Sequence, residues 1–552
     1  MRSIIVTLAA ALLFASPTSA QPAAPSAAPA GTAVLPPPKL LLAISVDQFS
    51  ADLFAQYRDR FTGGLARLLQ GAVFPSGFQG HAATETCPGH STLLTGARPA
   101  RTGIIANYWF DPASPRADKR IYCSEDERDS TSKPDKPVVS AWHLRVPTLG
   151  ERMKAADRAS RNVAVSAKDR AVVMMGGQAI DAGYWWRDGA FVTLPGRKPG
   201  AAALKANSDS AAAIAVGGRA YALPEWCVER DRAIAVANKT VGTGRFAFDP
   251  GKEGGFRNSP RMDAAVADLA IALADEMKLG KGKAPDILSV SFSVTDFVGH
   301  SFGTEGAEMC IQMAELDRTI GRLFDALDAR GIDYAVVLSA DHGGLDLPER
   351  LVEQGMPDAA RLEPGLSIGD LTRAVREKTG IAVPGELIYN DGPAGDYYIT
   401  RALSEADRQR ATAALIEIVR AHPQVQAVFA RAEIAATPIP SGSPQDWTLL
   451  QRARASFDMD RSGDLVVMLK RAIMPGSGAG AVAGHGSAWD YDRRVPILFW
   501  RKGLTGFEQP APVETVDIAP TLAALLRLAV KPGEFDGRCL DIDGGPGNTC
   551  VR

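Results

Sequence analysis

Thr86 sits in the run His81 to Thr95, HAATETCPGHSTLLT, where Pro88 and Gly89 suit the start of a helix, Leu93 and Leu94 follow, and Gly96 ends it. Orphan N–H groups and the macrodipole at such a start favour an anion or an alkoxide, which makes a hydroxyl there a candidate nucleophile. By itself the pattern equally describes a helix cap, and Thr84, Ser91 and Thr92 offer hydroxyls in the same stretch. Three other segments add to it: Asp296 four residues before His300, Asp341 adjoining His342, and His485 between Gly484 and Gly486. Carboxylate and neutral imidazole suit zinc, and a catalytic zinc keeps a coordination position open for water or substrate. One Asp-His pair is more often a structural hydrogen bond, but three such segments at one sheet edge point to metal. His81, His90, His143 and His422 lack a partner acid of this kind and read as packing or surface histidines. Lys168 and Arg170 would leave the same face of an extended segment, the alternative being a solvated pair on a loop.

These residues need elements that bring them together. Leu40 to Val46 is an apolar run ending in Asp47; Asn162 to Ser166 leads to Lys168, Asp286 to Val294 to Asp296, and Tyr334 to Ser339 to Asp341. Near-continuous apolar runs of this length suit buried parallel strands, and open α/β sheets bind ligands at the C-terminal ends of their strands. Met309, Met313, Leu316, Ile320, Leu323 and Leu327 mark a core helix stopped by Gly331. Ala171 to Met174 reads as a short strand, Ala201 to Ala206 and Asp263 to Met277 as Ala-rich helices, and Ser404 as the cap of a helix to Arg420. Asp464 to Leu469 and Val495 to Phe499 read as later strands, and Asp517 to Leu528 as the last core helix. The fold class is α/β.

Arg2, the apolar run Ile4 to Ala15 and the small residues to Ala20 read as a secretory signal peptide, 1–20, followed by an Ala/Pro-rich leader, 21–38. Residues 39–552 would form one catalytic domain, with insertions at about 111–145, 171–283 and 347–460. No later run approaches the ~20 apolar residues of a membrane span, so a soluble periplasmic or extracellular protein is expected, with no membrane partner. A net charge of −2 and no long basic run give no sign of a nucleic-acid partner. Export permits disulfides among the six cysteines; Cys539 and Cys550 flank a turn-rich segment and are the pair most easily joined, whereas Cys87 is expected to be a free, packed thiol.

The set Asp47, Thr86-Cys-Pro-Gly-His90, Asn107, Lys168-x-Arg170, Asp296-x-x-x-His300, Asp341-His342-Gly343 and Gly484-His485-Gly486, in this order, resembles the alkaline phosphatase superfamily, and most closely secreted bacterial alkaline phosphatases with a threonine nucleophile. The resemblance implies an α/β/α sandwich with a largely parallel central sheet and inserted cap segments. It implies two zinc ions, one held by Asp296, His300 and His485, the other by Asp47, Asp341, His342 and the Thr86 oxygen. Two metals about 4 Å apart stabilise the attacking and leaving oxygens of an in-line displacement at phosphorus. Thr86 would be the nucleophile of a two-step reaction on small phosphate monoesters, with Asn107, Lys168 and Arg170 as donors to the non-bridging oxygens. A single chain is the expected active unit.

The nearest rival is a phosphodiesterase or nucleotide pyrophosphatase of the same superfamily, against which Lys168 and Arg170 argue, since a diester carries less charge. A sulfatase would need Cys or Ser in a Cys-x-Pro-x-Arg context, and here Cys87 adjoins Pro88 directly. An inactive metal-binding interaction protein is a remote alternative, as no ligand or donor position is missing. Asp458-x-Asp460-x-Ser462-Gly463 resembles the start of a calcium loop, but Leu469 stands where the bidentate Glu belongs, so it reads as a turn.

Overall fold

The computed structural model describes residues 35–550. The expected signal peptide, and the leader as far as residue 34, lie outside them. In chain order the elements that matter for the site are strands β1 (Leu40–Val46) and β2 (Ala72–Phe78), helix α1 (Thr86–Thr95), the hairpin strands β3 (Tyr108–Phe110) and β4 (Arg120–Tyr122), β5 (Asn162–Ser166), α2 (Asp169–Gly176), β6 (Ala182–Arg187) and β7 (Ala190–Thr193). There follow α3 (Pro260–Glu276), β8 (Asp286–Phe292), α4 (Val294–Phe302), α5 (Ala307–Ala329) and β9 (Tyr334–Ser339). The last third carries β10 (Ile388–Tyr389), β11 (Gly395–Ile399), α6 (Glu405–Arg420), β12 (Val425–Ala430), β13 (Leu465–Leu469), β14 (Arg494–Arg501) and α7 (Ile518–Leu525).

A ten-stranded sheet forms the centre, with the path β2-β14-β9-β1-β8-β5-β6-β7 extended past β2 by the short strands Phe507–Glu508 and Val513–Glu514, both paired to β2. β1 pairs in parallel with β8 and β9, and β8, β5 and β6 continue in the same sense. β14 runs antiparallel between β9 and β2, and β7 turns back at the far edge. Alternation along the strands separates two apolar layers. Leu40, Leu42, Ile44 and Val46 face the core that contains Leu269 of α3 and Met309, Met313, Leu316 and Ile320 of α5. Leu41 and Ala43 face the other layer, with Leu93 and Leu94 of α1 and Ile518 and Leu522 of α7. The sheet is therefore sandwiched between helices, and parallel strands buried on both faces explain why their sequences are apolar almost throughout.

Residues 171–283, expected as an insertion, supply β6 and β7 to the sheet itself and α3 to its core. Ala171 to Met174 is not a strand but the interior of α2; a short apolar run has no periodicity to separate the two. β10, β11, β13 and β12 form a separate four-stranded sheet whose core includes Leu371, Tyr397, Leu415 and Val467, so Leu465–Leu469 belongs there and not to the main sheet. Asp458 closes a turn by accepting from the Asp460 and Arg461 N–H groups. Cys539 pairs with Cys550 and Cys227 with Cys310. Cys87 is not a free thiol: it is bonded to Cys123, which the β3–β4 hairpin brings to the start of α1. Among the described residues no helix is long and apolar enough to cross a membrane.

Candidate active site

The parallel strands deliver their following residues to one edge. Asp47 comes directly after β1, Asp341 two residues after β9, Lys168 two after β5, and Asp296 in the first turn of α4, just past β8. Gln48 takes a left-handed φ of 62°, a bend few side chains adopt, and its N–H donates to Asp341 Oδ1 at 3.1 Å. That bond ties the end of β1 to the end of β9. α1 begins at Thr86, which is 1% exposed and no side-chain cap: Glu85 precedes the helix and caps nothing. Gly89 lies against Asp341 so closely that a Cβ would stand 1.9 Å from the Asp341 carbonyl oxygen, and glycine is what lets α1 approach.

Two clusters of ligand atoms result. Asp296, His300 and His485 form one; Asp47, His90 and Asp341 form the other; in each, the ligand atoms lie within 4.8 Å of one another. His300 Nδ1 faces the Ala483 carbonyl at 3.0 Å and His485 Nδ1 the Thr84 carbonyl at 2.9 Å. A carbonyl only accepts, so each Nδ1 carries a proton, and each ring in its neutral form presents a bare lone pair on Nε2. Those two Nε2 atoms are 3.2 Å apart and 3.3 and 3.4 Å from Asp296 Oδ1. Lone pairs and a carboxylate facing one another at that range call for a cation between them.

The aspartates divide their oxygens in the same way. Asp296 Oδ2 accepts from Lys168 Nζ at 2.5 Å, Asp47 Oδ1 from Ser291 Oγ at 2.9 Å, and Asp341 Oδ1 from the His342 N–H at 2.9 Å. Asp296 Oδ1 and His342 Nε2 are buried with no hydrogen-bond partner, while Asp47 Oδ2 meets Lys168 Nζ at 2.8 Å and Asp341 Oδ2 meets imidazole nitrogens at 3.2 Å. Buried polar atoms are nearly always paired, so two such orphans beside a crowd of carboxylate oxygens and imidazole nitrogens fit a metal-binding role. His342 Nε2 stands 3.2 Å from Asp341 Oδ2, and its ring stacks on His485 at 3.6 Å between centroids. Burial would raise Asp296, but the Lys168 ammonium beside it holds it well below the usual carboxylate range. Burial pushes His485 down to about 4, which keeps the ring neutral.

Lys168 and Arg170 both reach the site, though not from an extended segment. β5 ends at Ser166, Lys168 is the residue before α2, and Arg170 lies in the helix's first turn. Lys168 Nζ bridges the two clusters, 2.5 Å from Asp296 Oδ2 and 2.8 Å from Asp47 Oδ2. Burial works against its charge, and the two aspartates outweigh that and raise its pKa. Arg170 Nη2 approaches Thr86 Oγ1 at 3.4 Å, while Nη1 donates to the Tyr122 hydroxyl at 3.4 Å. Asn107 Oδ1 accepts from the Cys87 N–H at 2.8 Å, which fixes the amide orientation and leaves its NH₂ as the free donor.

Two residues escaped the sequence reading. His90, taken for a packing histidine, lies between Asp341 Oδ2 at 3.2 Å and Asp47 Oδ1 at 3.4 Å. Its signal was present: a residue four after Thr86 shares a helix face with it. Glu85 accepts from the Asn107 N–H at 2.7 Å, and burial pushes it up to about 7; nothing in TETCPGH singles it out.

The type I phosphodiesterase/nucleotide pyrophosphatase family matches residues 41–487. The chain is 53% identical over 522 residues, 93% of either chain, to alkaline phosphatase PhoK of a Sphingomonas species. It is 47% identical over 517 residues, 93% of this chain and 89% of the relative, to alkaline phosphatase PhoD of Zymomonas mobilis. The crystal structure of wild-type alkaline phosphatase PafA superposes with a TM-score of 0.77 at 25% identity, covering 92% of this chain and 99% of that one. The sheet order, the converging ligand clusters and these matches agree, and the chain belongs to the type I phosphodiesterase/nucleotide pyrophosphatase family of the alkaline phosphatase superfamily.

Proposed function

We propose that this protein is an alkaline phosphatase that hydrolyses phosphate monoesters through Thr86, with a zinc ion at Asp296, His300 and His485 and a second at Asp47, Asp341, His342 and the Thr86 oxygen. The observation that carries the reading is the placement of one buried hydroxyl beside a guanidinium, in a site where two groups of carboxylate and imidazole ligand atoms each converge within 4.8 Å. Bound zinc would supply positive charge to the attacking and departing oxygens and promote ionisation of a hydroxyl or water. Thr86 Oγ1 forms a bond to phosphorus as the bond to the alcohol oxygen breaks, giving a phosphothreonine and the free alcohol. Water then attacks phosphorus, and Thr86 leaves with its hydroxyl restored. Arg170, Lys168 and the Asn107 amide face the non-bridging oxygens, where charge accumulates. His90, between Asp47 and Asp341, orients those carboxylates.

The family match also carries the name phosphodiesterase, and a diester reaction would use the same nucleophile and clusters. Arg170 beside Thr86, with Lys168 between the neighbouring aspartates, favours the monoester dianion. Turnover of p-nitrophenyl phosphate against its methyl diester, with zinc counted on the same sample, tests both; a faster diester rate would reverse the assignment, and full turnover in metal-stripped protein would end the two-zinc reading. Three disulfides fit an exported protein working in the periplasm or outside the cell.

A further inference from the structure

We infer that the Cys87–Cys123 disulfide is a positioning device that sets both Asn107 and Arg170 about Thr86; this rests on the reading of those two residues as phosphate donors. Cys87 directly follows the nucleophile, and its N–H donates to Asn107 Oδ1 at 2.8 Å. Cys123, bonded to Cys87 across 36 residues, donates its own N–H to the Asn107 carbonyl at 3.0 Å. Asn107 is therefore gripped at side chain and main chain by the two halves of one cystine. Its remaining backbone bond, N–H to Glu85 Oε2 at 2.7 Å, comes from the other neighbour of Thr86.

The same cystine reaches Arg170. Tyr122, adjacent to Cys123, accepts from Arg170 Nη1 at 3.4 Å and donates to Asp169 Oδ1 at 2.7 Å. Asp169 also accepts from the Arg170 N–H at 2.7 Å, so the hydroxyl and the helix start are locked together. Between Asn107 and Cys123 the chain has only the short strands β3 and β4 and a turn-rich connection, and no long helix fixes it. Both cysteines are fully buried among Ile104, Ile105, Trp109 and Ile121, which holds the bridge in one place. The Cys539–Cys550 bridge closes a C-terminal turn and makes none of these bonds.

The zinc-loaded Cys87→Ala/Cys123→Ala variant tests this. Its kcat/KM on p-nitrophenyl phosphate should fall on the order of 10- to 100-fold, with vanadate inhibition weakened by a similar factor, zinc per chain unchanged, and the methyl diester rate much less affected. In an Asn107→Ala/Arg170→Ala background, removing the bridge should lose less than about twofold more. Cys539→Ala/Cys550→Ala, the control for a general loss of stability, should keep wild-type rates. Additive losses in the donor-deleted background, or equal losses on both substrates, overturn the inference. If Asn107→Ala/Arg170→Ala itself leaves monoester turnover intact, the donor reading fails instead. Should the double alanine protein not fold, Tyr122→Phe keeps the bridge and cuts one link: a monoester loss that disappears in an Arg170→Ala background supports positioning, and one that persists refutes it.

Discussion

The two ligand clusters are built differently. Asp47, His90, Asp341 and His342 have fully buried side chains, and two of them end neighbouring central strands, whose ladders leave little freedom. Asp296 and His300 lie on α4, where the His300 side chain is 35% exposed, and His485 sits on a Gly-flanked loop. Helix α1, which begins at Thr86, packs against the buried cluster through Gly89. On the proposed mechanism this division suits the reaction. The attacking oxygen needs fixed geometry, whereas the departing alcohol and the incoming water need a route to solvent.

The largest expected effect comes from breaking the buried side. Thr86→Ala should lower kcat on the order of 10⁴-fold or more and abolish phosphothreonine trapping, while stability changes by no more than about 2 kcal/mol. A trapped phosphate on Thr84 instead would detach the nucleophile from this cluster. Breaking the open side comes next. His300→Ala should weaken one zinc on the order of 10²-fold, leave the other tightly held, and slow p-nitrophenyl phosphate turnover by roughly 10²- to 10³-fold. Zinc release to a chelating dye would then be biphasic in wild type, with the fast phase missing from the variant; loss of the slow phase would invert the comparison.

A smaller effect should come from the cations that join the clusters. Lys168→Ala/Arg170→Ala should lose on the order of 10²-fold on the monoester and much less on the methyl diester, and equal losses would show that this pair does not set the preference. The smallest concerns Asp263, which accepts from the Ser293 and Val294 N–H groups at the start of α4 and from Gln312 Nε2. Burial pushes Asp263 up to about 7. Between about pH 4, the ordinary carboxylate value, and pH 7 the folded protein keeps a proton that the unfolded chain has released, so this group's contribution to stability falls as pH rises through that window and is flat above it. Asp263→Asn should raise Tm by several degrees at pH 8 and by almost nothing near pH 4; Gln312 Oε1, otherwise unpaired, can accept from the new amide. A gain independent of pH would point to packing, not ionisation.

Much of this was legible in the residues. Buried parallel strands advertise themselves as apolar runs, and an Asp or Lys at the end of one has a single sheet edge to occupy; hence Asp47, Lys168 and Asp341 could be placed from sequence. Tertiary partnerships could not. Cys87 meets Cys123 because a loop-rich connection folds back, and no local spacing records that. His90 was misread because its acids, Asp47 and Asp341, are distant in the chain. Lys168 and Arg170 do point into one site, but through the start of a helix, where a two-residue strand period does not apply. Of the second sheet only Leu465–Leu469 shows as a strand in the sequence, because β10 has only two residues and β11 begins with Gly395 and Asp396, poor strand formers.

Gly89 has a consequence for what mutation can reach. The spacing between α1 and the loop after β9 is set by main chain against main chain, with no side chain in between to trim or swap. Drift in the surrounding apolar residues can loosen that contact but cannot tighten it, and every substitution at position 89 widens it. The seat of α1 against the residues that follow β9 thus has no room for any side chain at position 89, and variation in how the two meet has to come from elsewhere in the chain.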